Sequence, residues 1–280
     1  MSTLVYDGTF EGLLCLLDEV TAGAAIDADI GIAGCWQPSF FDAGTLIATD
    51  AHRAQRFLKR LLSATSRAVV KNVVSAHIAD VPAFETTLAA YCRLAFARGA
   101  HVDRDHTQVA VQRVHALARS VAREVHRLKG FARFRELRDG SLFAPLQPTH
   151  NVIGPLAVYF TRRIPRPAWI LYDVGRGWGL RWDCRTLTEC TLASDGECCH
   201  TDPAALDELV SDAERRYQDL WRTFFRAISI TSRENPQLQR QNMPARYWRF
   251  LIEKTRRDNA TRDAGPSRRS RTSPAMRRSP

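Results

Sequence analysis

A change of hydrophobic period near residue 131 divides this chain. Between Asp50 and Leu128 the large apolar residues recur every three to four positions, the spacing of helices that bury one face. Beyond residue 131 two glycine turns, Asp139-Gly140 and Gly175-Arg176-Gly177, are each flanked by short runs rich in apolar and aromatic residues, which read as β-hairpins. Helices and strands that occupy separate stretches predict an α+β fold: a small antiparallel sheet with several surrounding helices.

The individual signals fill in that outline. Leu4-Val5-Tyr6 reads as a short strand, and Thr9 as the cap of a helix through Leu13, Leu14, Leu16 and Leu17. Thr21–Gly44 reads as loop and Leu46–Ala48 as a second short strand. Asp50 can cap a helix carrying Phe57 and Leu61, and Val70, Val73, Val74 and His77 mark the next. Asp80 is expected to cap a third, with Pro82 in its first turn and Gly99 at its end. A fourth starts near Thr107, with Val114, Leu117, Val121, Val125 and Leu128 as its stripe. Later, Asn151–Arg163 reads as a short helix and Thr188–His200 as loop. Asp202-Pro203 opens a long helix with Leu206, Leu209, Ala213, Tyr217, Leu220, Phe224 and Ile228 on one side. Asn235-Pro236 and Met243-Pro244 are further helix starts. Residues 1–254 are therefore expected to form a single α+β domain, with a candidate sub-boundary near 100–106, and 255–280 a disordered Arg-rich tail.

Charge narrows the partners. The chain carries a formal net charge of +10. The tail holds eight Arg against two Asp, a net of +6, which leaves +4 on residues 1–254. Excess positive charge favours polyanions such as nucleic acid. The apolar run Leu13–Leu17 is far short of the roughly 20 residues a membrane span needs. Asp7 and Glu11 stand where a secretory leader would be basic and then apolar. A cytoplasmic location is expected, with the seven cysteines reduced, and their odd number fits no complete disulfide framework.

Several motifs resolve into plain alternatives. Gly175-x-Gly-x-Gly179 is followed by a strand pattern instead of a helix start, so a hairpin turn fits better than a phosphate loop. Cys190, Cys198, Cys199 and His200 have poor spacing for tetrahedral zinc, and no metal or cofactor is expected. His115, Arg119 and His126 share a helix face that either holds a phosphate or base edge or shields the core. From Arg119 to Arg135, six cations (Arg119, Arg123, Arg127, Lys129, Arg133 and Arg135) stand against the single acid Glu124. Phe131 and Phe134 interleave with them. Such a run suits a nucleic-acid surface, or is a solvated face with both rings in the core. Arg233, Arg240, Arg246 and Arg249, beside Tyr247 and Trp248, repeat the character, with a helical cap as the alternative. His126, Glu136 and Asp173 are the candidate acids and bases, yet no spacing pairs two of them, and neither a GxSxG elbow nor a P-loop is present.

Four blocks occur together in order: Tyr6-Asp-Gly-Thr-Phe-Glu-Gly-Leu-Leu14, His126-Arg-Leu-Lys-Gly-Phe-Ala-Arg-Phe-Arg-Glu-Leu137, Pro148-x-His-Asn151, and Asn235-Pro-x-Leu-Gln-Arg-Gln-x-Met-Pro-x-Arg-Tyr-Trp248. Across about residues 4–253 the chain resembles bacterial DNA-metabolism or repair proteins that accompany a radical-SAM protein. A similar domain also occurs fused to uracil-DNA-glycosylase-type domains. The resemblance implies a role in DNA repair or modification and a radical-SAM partner, without assigning an activity. It departs from the pattern at Tyr159-Phe160, where a His before Phe is expected, and in the Arg tail and the Cys-rich loop. The expected function is a DNA-binding accessory protein working with a radical-SAM partner. A DNA-processing enzyme in its own right and a structural adaptor for the partner are the alternatives.

Overall fold

The computed structural model describes residues 3–23, 29–37, 44–191 and 209–254. The Arg-rich tail, Cys198-Cys199-His200 and the helix start expected at Asp202-Pro203 lie outside the described residues. The chain divides into two compact units, Met1–Gly130 with Pro148–Tyr159, and Phe131–Gln147 with Phe160–Pro280. The segment 100–106 lies inside the first unit.

The first unit opens with β1 (Thr3–Tyr6), followed by α1 (Phe10–Thr21), β2 (Asp29–Ile32), β3 (Thr45–Leu46), α2 (Ala51–Ala64), α3 (Arg67–Ile78), α4 (Phe84–Arg98) and α5 (Val109–Phe131). Local caps set the first helices: the Thr9 hydroxyl accepts from Gly12 N at 3.0 Å, and the Asp50 carboxylate from His52 N at 2.8 Å. Both caps are readable in the sequence. The start of α4 differs from expectation. Asp80 does not cap it, and the helix begins after Ala83, which is left-handed at φ 56° and makes no side-chain cap. Leu13, Leu14, Leu16 and Leu17 of α1 are fully buried with Phe57, Leu61, Val73, Leu88 and Tyr91. Each such burial contributes roughly 1.5–3 kcal/mol. The sheet of this unit is parallel, in the order β2-β1-β3. It includes a strand within the stretch expected to be loop, because β2 pairs with β1 across the whole of α1.

The second unit is built on a five-stranded sheet, β4 (Arg135–Glu136), β5 (Leu142–Leu146), β6 (Trp169–Asp173), β7 (Trp178–Trp182) and β8 (Leu187–Cys190), hydrogen-bonded in that order. The two glycine turns give the expected antiparallel pairs, with Arg135 opposite Phe143 and Trp169 opposite Trp182. Gly140 takes φ 80°, and Asp139 accepts from both Ser141 N and its hydroxyl, which fixes the first turn. β5 and β6 run parallel, joined by a crossover through α6 (Ile153–Arg163). β8 replaces the loop expected from Thr188 and pairs antiparallel with β7. The unit continues through α7 (Asp212–Ala227) and α8 (Pro236–Asn242) to a 3₁₀ turn, Ala245–Phe250, in place of the expected helix. The class is α+β, as the sequence predicts, with helices outweighing two small sheets.

Candidate nucleic-acid interface

α5 is amphipathic with its charges sorted. Val111, Val114, Val121 and Leu128 are buried along one side. Glu124, the only acid among residues 119–135, is 3% exposed on that same side. Its two carboxylate oxygens accept from Thr149 N at 2.9 Å and His150 N at 2.7 Å. Arg119, Arg123 and His126 are exposed at spacings of four and three residues, so they form one strip on the opposite side. Arg127 is half-buried on one flank, and Lys129 is exposed on the other, with its ammonium 4.5 Å from the centre of the Tyr159 ring. The inward turn of Glu124 leaves this strip wholly cationic or neutral.

The other expected residues divide by burial. His115, on the same face in sequence, is held by Asp103, whose Oδ1 lies 2.8 Å from its Nε2. The same carboxylate accepts from the Tyr91 hydroxyl at 2.7 Å, so His115 belongs to an internal cluster and not to the strip. Arg133 donates from Nη2 to Glu253 Oε1 at 2.6 Å, and the Glu253 side chain is 2% exposed. Arg135 is 3% exposed and donates to the Phe250 carbonyl. Both guanidiniums thus have partners within the second unit, with Arg135 buried and Arg133 half-buried. The alternation of β4 turns Arg135 inward while Glu136 faces out. Phe131 packs on Tyr247, and Phe134 on Phe160 and Trp169, so each half-buried ring has aromatic neighbours within the second unit.

In the second unit, Arg233 and Arg240 are exposed. Arg233 lines a cavity of about 510 Å³ with Phe225, Ile228, Asn235 and Leu238. Arg246 lies over the Tyr247 ring, and Arg249 over Phe250 with a hydrogen bond to Gln147. The 235–248 block therefore has a structural job as well: Asn235 caps α8 at Leu238 N, and the Trp248 indole donates to the Met243 carbonyl.

The candidate acids and bases are distributed over both units. His126 is exposed on α5 in the first unit, and Glu136 is exposed on β4 in the second. Asp173 is fully buried, accepting from Gly175 N, Arg176 N and the Arg176 guanidinium, so it fastens the β6–β7 turn. Among the described residues no three His, Cys, Asp or Glu side chains gather as a metal site. Nor is any described helix long and apolar enough to cross a membrane.

One polar cluster has no short-range signature in the sequence. His150 Nδ1 lies 2.7 Å from the Ala79 carbonyl, which can only accept, so that nitrogen carries a proton. In the neutral ring this leaves Nε2 to accept from the Ser120 hydroxyl at 2.8 Å. With the Glu124 contacts, His150 pins the segment after β5 to the first unit. Pro148-x-His-Asn marks the residue, but its partners are 26 to 71 positions away. The family described as a domain of unknown function, DUF4130, matches residues 82–253. The chain belongs to the DUF4130 family. No curated protein and no solved structure matches the chain. The DUF4130 match takes in the cationic strip of α5, the His150 pin and the 235–248 block.

Proposed function

We propose that this chain is a DNA-binding accessory protein of repair or modification that presents DNA to a radical-SAM partner. The exposed strip Arg119, Arg123, His126, with its one neighbouring acid turned inward, carries the reading. Cations without a competing carboxylate displace counterions from a phosphate backbone, and each contact adds to affinity and to its salt dependence. Contacts to phosphate carry no sequence information, so binding led by them is expected to be sequence-tolerant. The radical-SAM partner is what the resemblance carried by the four sequence blocks implies.

A DNA titration tests this. Full-length protein should bind single- or double-stranded oligonucleotides at low salt, with log affinity falling linearly against log salt. Arg119→Glu with Arg123→Glu should weaken binding by about tenfold or more. The slope should fall by about 0.9 for each duplex phosphate that is no longer neutralised. Negligible affinity at low salt, or binding unaltered by the double change, refutes the reading.

A further inference from the structure

Ser120 and His150 meet in a geometry that suits chemistry as well as anchoring. His150 is 8% exposed and is fixed at three atoms. Its N–H donates to Glu124 Oε2 at 2.7 Å, its carbonyl accepts from Val152 N at 2.8 Å, and its Nδ1 donates to the Ala79 carbonyl at 2.7 Å. In the neutral ring Nε2 holds the free lone pair, and the Ser120 hydroxyl lies 2.8 Å from it. A hydroxyl donating to an imidazole whose far nitrogen is held by an acceptor is the arrangement that activates a serine nucleophile. Here the acceptor is a carbonyl in place of a carboxylate. Ala79 is the C-cap of α3, so its oxygen stands at the negative end of that helix, which favours the imidazolium formed when the ring takes up a proton.

The surroundings select the electrophile. Ser120 is partly exposed, at the boundary between the buried and the cationic sides of α5. Arg123 and Arg127 follow three and seven residues later, so both rise from the same helix face as the hydroxyl. The one nearby acid of α5, Glu124, has both oxygens engaged by the N–H groups of Thr149 and His150. Two cations beside a nucleophile suit an electrophile that is already anionic and gains charge on its oxygens when attacked, as a phosphate ester does.

We infer that Ser120 is a nucleophile for a phosphodiester, with His150 as its general base and Arg123 and Arg127 as the cations that hold the phosphoryl oxygens. Oγ forms a bond to phosphorus as its proton passes to His150 Nε2. The bond from phosphorus to one esterified oxygen breaks, and that oxygen keeps the electron pair and takes a proton from water. The product is a phosphodiester of Ser120 and a free hydroxyl. The substrate class rests on the DNA-binding reading, because Arg123 serves both.

Incubation of the full-length chain with bis(p-nitrophenyl) phosphate tests the dyad without a DNA strand. Nitrophenolate leaves without a proton, so the probe needs no general acid. A single equivalent of nitrophenolate should be released in a burst, and peptide mass spectrometry should find the p-nitrophenyl phosphoryl group on Ser120. Ser120→Ala, which leaves the three anchors of His150 in place, should lose both signals. His150→Asn keeps an amide that can donate to the Ala79 carbonyl but has no atom at the Nε2 position. It should retain its circular dichroism spectrum and slow the burst by about a hundredfold or more. If His150→Asn unfolds, the comparison with Ser120→Ala decides. No burst, a label on another residue, or a burst unchanged in a folded His150→Asn overturns the inference. A burst with p-nitrophenyl acetate and none with the phosphodiester assigns an acyl electrophile and also overturns it. Oligonucleotide binding without a burst removes this inference alone, whereas a Ser120-dependent burst without oligonucleotide affinity upholds it and removes the DNA-binding reading.

Discussion

Arg123 and Arg133 look alike in the basic run and do opposite work. Arg123 is exposed, so Arg123→Met should change stability by no more than about 0.5 kcal/mol while lowering DNA affinity. Arg133 supports a buried carboxylate. Burial pulls the Glu253 carboxyl upward, but hydrogen bonds from Arg133 and Trp221 outweigh it and hold the group below its ordinary range. Arg133→Met strands that charge and should cost about 3 kcal/mol in urea denaturation, whereas adding Glu253→Leu should recover most of the deficit. Composition shows both arginines equally, and a partner 120 residues away separates them. His77 offers a second test at this scale. It lies between Phe10 and Phe84, and its Nδ1 is buried with no hydrogen-bond partner. Burial lowers its pKa, against the opposing pull of Asp80 and Glu11. The unfolded chain therefore takes up the proton first as pH falls below about 6.5, so stability present above that value is lost on acidification. His77→Phe should flatten the fall in melting temperature between about pH 7 and pH 5, and an unchanged slope would remove His77 from the explanation.

Elements fixed by neighbours in sequence were legible, and elements fixed at a distance were not. The Asp139-Gly140 and Gly175–Gly177 hairpins carry their instructions in the turn itself, as do the Thr9 and Asp50 caps. The parallel pairs β1–β2 and β5–β6 need crossovers, and no short-range pattern records which strand a crossover returns to. β8 is a four-residue edge strand containing Thr188 and Glu189, which hides it among loop residues. The opening block Tyr6-Asp-Gly-Thr-Phe-Glu-Gly becomes intelligible once folded. Asp7 accepts from Thr9 N, the Thr9 hydroxyl and the Thr49 hydroxyl, and a side chain at Gly12 would collide with Asp7 Oδ1 and come within 2.8 Å of the Thr49 hydroxyl. Gly12→Ala should therefore destabilise the protein by about 1–3 kcal/mol. Helix propensity alone predicts a gain of about 1 kcal/mol, so thermal melting separates the two accounts by sign.

For the whole molecule, the α+β class followed from composition and period, while the division into units did not. Of the net charge of +10, six belong to residues 255–280, so the tail and α5 should contribute separately to DNA binding. A chain ending at Lys254 should bind more weakly and with a shallower salt slope, yet remain sensitive to Arg119→Glu and Arg123→Glu. Abolition of all binding on truncation would assign the affinity to the tail alone. The path of the chain has its own consequence. The first unit receives Pro148–Tyr159 only after seventeen residues of the second, Phe131–Gln147, have been laid down. That late segment supplies Val152, Ile153, Leu156 and Ala157, all buried, and the His150 pin. On a ribosome adding roughly 5–20 residues per second, the N-terminal half must wait about a second or more with its core open. A nascent chain arrested before residue 148 should stay protease-sensitive throughout, and the first unit should become resistant only once residue 159 has cleared the exit tunnel.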